Sequence, residues 1–410
     1  MNLNTLLTFI LALGAALLTV SVLRWPTPAR TAAARHIAID GLRGYLAFAV
    51  FLYHSEIWFR YIPTGEWKTP DSLPVSFLGG ASVACFFMIT GFLFTSKLLE
   101  ARKSGVDWIQ LYVGRVFRIG PLYLFSLAIV YILVLHESGY VIREDAFTLA
   151  RSVIKTLALG VFSVPPLNGV PDPGLMVAGV YWTLAYEWFF YGTLPLLAFC
   201  FARRPPIIFL GLTLLSGGWL FRFKPPVDLL LPFLGGIFAA FAVRLPKVRQ
   251  LAALPAAPTL LIAVLIIGAN AVSSPFAPPN LFVLTLFFTC VAAGNSLFGL
   301  FTAKASLALG ELSYGVYLLH GLILYVTLAM TPLGSLLTDT HPDLYPVALA
   351  GLTPPLILLS YAAYHGIERP GTQAGRKFSH LTASAVRSLL GYSDIPRQGS
   401  PFPATTLQHP

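Results

Sequence analysis

The sequence predicts an all-α fold: a polytopic integral-membrane helical bundle with about ten core transmembrane helices plus one N-terminal span. Three observations carry this expectation. Of the 410 residues, 56% are hydrophobic and 11% charged, with a mean hydropathy of +0.74, outside the range of ordinary soluble domains. Apolar runs long enough to cross about 30 Å of hydrocarbon recur along the whole chain. Lys and Arg flank these runs and do not gather in a patch, so the formal charge of +10 reflects membrane orientation and not nucleic-acid binding.

The runs lie near residues 3–23, 38–59, 76–98, 117–136, 179–201, 206–221, 226–243, 255–272, 280–300, 306–330 and 344–366. The first lacks a basic leader and is followed by Arg24, which favours an uncleaved anchor over a signal peptide. Several later runs contain Pro, which membrane helices tolerate when neighbours satisfy the freed backbone groups. Residues 148–164, ahead of Pro165 and Pro166, read as an interfacial or re-entrant helix. Cys85, Cys200 and Cys290 stand alone in apolar stretches, so neither a disulfide framework nor a metal site is expected.

Placing residues 24–37 in the cytoplasm and alternating thereafter puts 20 of the 27 Lys and Arg inside, as the positive-inside rule requires. Three regions follow: an N-terminal anchor and cytoplasmic linker (1–36), a transmembrane domain (37–370) and a cytoplasmic tail (371–410) expected to be disordered. The expected location is the plasma membrane, a bacterial inner membrane, with the C-terminus in the cytoplasm.

Ionisable residues inside apolar runs are costly and so mark function unless a partner explains them. Arg43 and His54 are eleven residues apart in IAIDGLRGYLAFAVFLYHSEIWF, which places both on one helical stripe about 16 Å apart along the axis. The competing account is an Arg snorkelling to headgroups and a His satisfied within the bundle. Glu187, in YWTLAYEWFFYGTLPLL, is expected at the depth of His54, where a His–carboxylate pair would lower the burial cost of both; the competing account is a Glu187 that is protonated or bonded to Tyr and Trp groups of the aromatic belt. Arg115 and Arg118 are spaced i, i+3 and can clamp an anion, although positive-inside anchoring explains them equally well. A further cluster, LGELSYGVYLLHG, contributes Glu311, Ser313, Tyr314, Tyr317 and His320, with His320 either a second functional imidazole or a structural one.

Several segments together resemble the acyltransferase 3 family of integral-membrane acyltransferases. They are IDGLRG with Arg43 and His54 in R-x10-H spacing, FFMITGF, the R-x-x-R of Arg115 and Arg118, YWTLAYEWFFY, LSYGVYLLH and IERP, in order over about residues 37–370. The usual SGF and WSL are TGF and WTL here, and Thr90 and Thr183 keep the hydroxyl. The resemblance implies transfer of an acyl group, most often acetyl, from cytoplasmic acyl-CoA to a hydroxyl of a surface polysaccharide, lipid-linked glycan or related acceptor. It also implies that Arg43 and His54 are the essential pair and that Arg115 and Arg118 handle acyl-CoA. Asp40, Tyr317 and His320 fall in matching segments as substrate-side or supporting residues. No permanently bound cofactor or metal is implied; acyl-CoA is a co-substrate, and the lipid bilayer and a carbohydrate acceptor are the expected partners. The hydrolase-like domain that some relatives carry is not expected.

Imidazole can deprotonate an alcohol near neutral pH, so His54 is the candidate base. Arg43, too distant to act on the same atom, would steady the CoA end. Glu187 would hold the imidazole's tautomer, completing a catalytic set of His54, Arg43 and Glu187. A covalent acyl-His54 relay is the alternative route. The alternative function is a multi-span transporter or flippase of a lipid-linked glycan, which also needs buried ionisable groups but commonly shows paired halves; no internal repeat is evident.

Overall fold

The computed structural model describes residues 3–23, 25, 36–102, 104–201, 205–271 and 274–389. Most of the linker 24–35, together with Lys103, Arg203, Arg204 and residues 390–410, lies outside the described residues. Among the described residues the regular structure is helical: α1 (Leu3–Val22), α2 (Ile37–Thr64), α3 (Leu73–Glu100), α4 (Trp108–Glu137), α5 (Ala146–Thr156), α6 (Trp182–Phe201), α7 (Ile207–Phe223), α8 (Leu231–Ala242), α9 (Pro246–Ala252), α10 (Ala257–Ala271), α11 (Pro278–Ala292), α12 (Lys304–Glu311), α13 (Ser313–Leu324), the single turn α14 (Leu333–Ser335), α15 (Tyr345–Ala363) and α16 (Arg369–Leu389).

Five helical stretches are long and apolar enough to cross a membrane, or up to seven when each bent pair counts as one span. Three apolar helices, in α7, α10 and α11, are shorter. The expected count of ten core spans is therefore not reached by length and composition. The shortfall has physical causes. The α8–α9 pair bends by 105° and the α12–α13 pair by 66°, while α2 carries Asp40, Arg43, Glu56 and Arg60 and is too polar to count among these stretches despite its 28 residues. At 1.5 Å per residue α2 is about 42 Å long, and protein on both sides covers it. One buried core joins it to α4, α6, α13 and α15; a second joins it to α3, α8 and α11.

α1 lies at the edge of the bundle. Ala12, Ala16 and Val20 are fully buried and, at i, i+4, i+8, form one small-residue stripe against α15 and α12, as close helix packing in lipid favours. Its opposite face leaves Leu3, Ile10, Leu18 and Val22 exposed. α5 is short and one-sided: Asp145 caps it by accepting from the Phe147 and Thr148 amides, and Phe147 and Ile154 project outward, in keeping with a segment that lies along an interface.

The expectation of a disordered tail is corrected in part. Residues 371–389 belong to α16, which continues α15 through a π-helical turn at Tyr364–Glu368 and packs along α4, with Phe378 against Phe117 at 5.7 Å. The segment is polar taken as a whole, and its contact with α4 runs through small residues: Gly375 and Ser379 are buried, a side chain on Gly371 or Gly375 would overlap Phe117 or Pro121, and Phe378 and Leu381 stay exposed, so close backbone approach holds the helix in place.

Two glycines fix the position of Arg43. A side chain on Gly310 of α12 would overlap the Asp40 carbonyl of α2, and one on Gly44 would stand 2.6 Å from the Gly310 amide nitrogen. The two backbones thus touch where Arg43 leaves α2. Gly310→Ala is expected to destabilise the protein by about 1–3 kcal/mol through overpacking, read as a lowered thermal midpoint in detergent; an unchanged midpoint would show that the contact is not needed.

Candidate active site

His54 does not pair with Glu187. Its Nδ1 lies 3.0 Å from Nε2 of His320 on α13, and the two rings lie edge to edge and nearly coplanar, with centroids 5.1 Å apart and planes 22° apart. His320 is fully buried, and its own Nδ1 is 3.0 Å from the Val316 carbonyl oxygen. Hydrogen positions follow from this network. A carbonyl only accepts, so His320 Nδ1 carries a proton and donates it. In the neutral ring Nε2 is then an acceptor, so His54 Nδ1 donates to it. Neutral His54 is left with a lone pair on Nε2, the configuration of a general base. His54 is half-buried, so its ring is not sealed from a substrate.

Tyr317, one turn before His320, steadies the second imidazole. Its ring stands edge-on to His320 at 6.2 Å, and its hydroxyl lies 2.9 Å from Thr183 Oγ1 and donates to the Val180 carbonyl at 3.2 Å. Thr183, the departure from the usual serine, thus keeps a hydroxyl in use at this contact.

Glu187 lies one turn further along α6 than Thr183, toward the Arg43 end. It accepts from the Tyr191 hydroxyl at 2.7 Å and feels the charges of Arg115, Arg118 and Arg43. The expectation that it orients His54 is therefore corrected. A short 3-10 segment, Pro173–Val177, inserts beside α13, where a side chain on Gly321 would overlap Val177. This segment takes the layer beside His320 that α6 was expected to fill, so α6 begins later and Glu187 sits deeper.

Arg43, Arg115 and Arg118 converge from α2 and α4. The charges of Arg43 and Arg118 act on each other and on Asp40 and Glu368, and that of Arg43 also on Glu311. Arg115 faces Tyr191 and Arg118 and lies over the Phe94 ring, 5.0 Å from its centroid. All three are half-buried. Among the described residues none has a carboxylate oxygen within 4.0 Å. Three guanidinium groups held together without direct ion pairs, with Arg115 turned partly toward Tyr191, keep donors that phosphate-like oxygens can engage.

The structure brings Asp40 into this cluster, along with residues to which no motif gives a role. Tyr191 bridges Glu187 and Arg115, and only its place one turn after Glu187 hints at this. Glu368, in the IERP segment, is 8% exposed, and its Oε1 has no hydrogen-bond partner. Glu311 accepts from Tyr364 at 2.7 Å. A cavity of about 440 Å³ bordered by His36, Glu100, Arg244 and Arg249 opens at the same end of α2 as Arg43. Among the described residues there is no group of three or more His, Cys, Asp or Glu able to hold a metal.

The site thus has two stations along α2: the His54–His320 pair, and about 16 Å away Arg43 with Arg115 and Arg118 of α4. No curated protein and no solved structure matches the chain. A family model, Acyl_transf_3, described as an acyltransferase domain, matches residues 36–365, a stretch that contains every site residue named above except Glu368. That match covers most of the chain, so the chain belongs to the acyltransferase 3 family and is a membrane acyltransferase that transfers groups other than aminoacyl groups.

Proposed function

We propose that the protein moves an acyl group, acetyl in the simplest case, from acyl-CoA on the cytoplasmic side to a hydroxyl of a surface polysaccharide, lipid-linked glycan or related acceptor on the other side. The observation that carries this reading is the His54–His320 hydrogen bond of 3.0 Å, which leaves His54 Nε2 free to take a proton. The acceptor hydroxyl gives its proton to that nitrogen while its oxygen attacks the thioester carbonyl. His54 Nδ1–H remains on His320 Nε2, and the second ring spreads the positive charge that develops. Collapse of the tetrahedral adduct breaks the carbon–sulfur bond, and the departing thiolate recovers the proton from His54.

Arg43, Arg115 and Arg118 act at the donor's other end. Phosphates carry the charge and planar geometry that open guanidinium forks bind. The span of about 16 Å between the stations suits an extended pantetheine arm, with the nucleotide toward the cavity beside Arg244 and Arg249. The excess of Lys and Arg at the Arg43 end favours placing it in the cytoplasm, which would put the C-terminus there too and make the plasma membrane, a bacterial inner membrane, the site of action.

The test is transfer of label from acetyl-CoA in membranes containing the protein, with chemical analysis of the cells' surface glycans with and without the gene. Labelled ester on a glycan, absent without the gene, is the expected result. Glycan translocation with no ester formed would replace this reading with that of a transporter.

A further inference from the structure

The loop between α2 and α3 reaches further into the bundle than its position in the chain suggests. His54 lies ten residues before the end of α2, about 15 Å along the axis. Trp67, three residues beyond that end, nevertheless brings its indole to within 6.3 Å of the His54 ring, centroid to centroid, with the two planes 19° apart. The loop must therefore fold back on α2. Gly65, at φ +68°, closes the helix with its amide on the Tyr61 carbonyl and turns the chain. Arg60 then donates to Asp71 at 2.6 Å, and Ser76 donates to the Pro70 carbonyl at 2.6 Å, tying down the far side. Within 65–69 only Trp67 is not exposed. Trp58 and Tyr61, one and two turns beyond His54, hold the Trp67 indole edge-on at 5.3 and 5.7 Å.

We propose that Trp67 is a specificity-determining cap that keeps water from His54 Nε2 and reserves the thioester for an alcohol. The proposal rests on the acyl-transfer reading and adds to it the choice of acceptor. That choice is a chemical necessity, because a base that deprotonates an alcohol deprotonates water equally well. With an alcohol, the O–H proton goes to His54, the oxygen bonds to the acyl carbon, the C–S bond breaks and the thiolate is protonated; an ester and a thiol result. With water, the same bonds form and break, and the products are a carboxylic acid and a thiol. Exclusion of water is the usual means by which an enclosed site suppresses this loss. An acceptor with a C–H face, such as a pyranose ring, can lie against the electron-rich indole and displace it from the base. Water gains nothing there.

The experiment uses the full chain in lipid nanodiscs and measures thiol release from acetyl-CoA without acceptor, then ester formation with octyl β-D-glucopyranoside as probe. Trp67→Ala is expected to raise acceptor-free thiol release about tenfold over wild type, whereas Trp67→Phe, which keeps an aromatic plate, stays close to wild type. A thermal midpoint for each variant separates this effect from unfolding, since an unfolded variant loses thiol release and does not gain it. Thiol release in Trp67→Ala at or below the wild-type rate would overturn the proposal. If wild type and both variants release no thiol, and none forms an ester, acyl transfer itself fails and the cap with it.

Discussion

His54→Ala is expected to lower acyl transfer by about 10²- to 10⁴-fold, the range for loss of a positioned general base, at unchanged protein level and thermal midpoint. The expectation follows from the hydrogen-bond order. His320 Nδ1 is committed to Val316 O, which forces His54 Nδ1 to donate and leaves its Nε2 as the one basic nitrogen of the pair. His320→Ala should also be impaired, because without it the tautomer of His54 is no longer fixed and its charged form loses a neighbour. The defect should be smaller, since the base itself survives. Added imidazole should restore part of the activity of His54→Ala if the cavity left by the ring admits it. Full activity in His54→Ala would dispose of the proton-transfer scheme, and a defect in His320→Ala larger than that in His54→Ala would reverse the assignment of base and support.

The second large effect is expected at the arginine cluster. Arg115→Ala combined with Arg118→Ala should raise the acetyl-CoA concentration needed for half-maximal rate on the order of 10²-fold, as for loss of charge-assisted hydrogen bonds in a half-buried site. The same double variant should use acetyl-pantetheine, which lacks the nucleotide, about as well as wild type does. The corresponding Lys variants should fall between, because an ammonium keeps the charge and loses the planar fork. Removal of two cations also leaves Glu187 and Glu368 less neutralised, so stability must be measured beside activity. An equal loss with both donors would mean that these arginines hold the fold and not the phosphates.

The features legible in the sequence are those set by local rules. Hydropathy locates the apolar stretches, and helical geometry places Arg43 and His54 on one stripe of α2. The R-x-x-R spacing puts Arg115 and Arg118 together on α4. What sequence does not supply is contact between distant helices. His54 and His320 are 266 residues apart, and nothing local distinguishes His320 as an acceptor from a satisfied core histidine. The depth of Glu187 escapes a count from the edge of an apolar run, because such a count takes no account of the 3-10 segment at Pro173–Val177. α16 hides because it is polar on average and meets α4 through small residues, Gly375 and Ser379, which hydropathy does not single out.

The use of a histidine where a carboxylate might stand has a consequence for how the site accumulates charge. A carboxylate beside His54 would make the resting pair an anion; two neutral imidazoles make it uncharged, and protonating both would set two cations against each other in a poorly polarisable interior. The dyad is thus a single-proton reservoir whose inactivation by acid should be first order in hydrogen ion, whichever ring holds the charge.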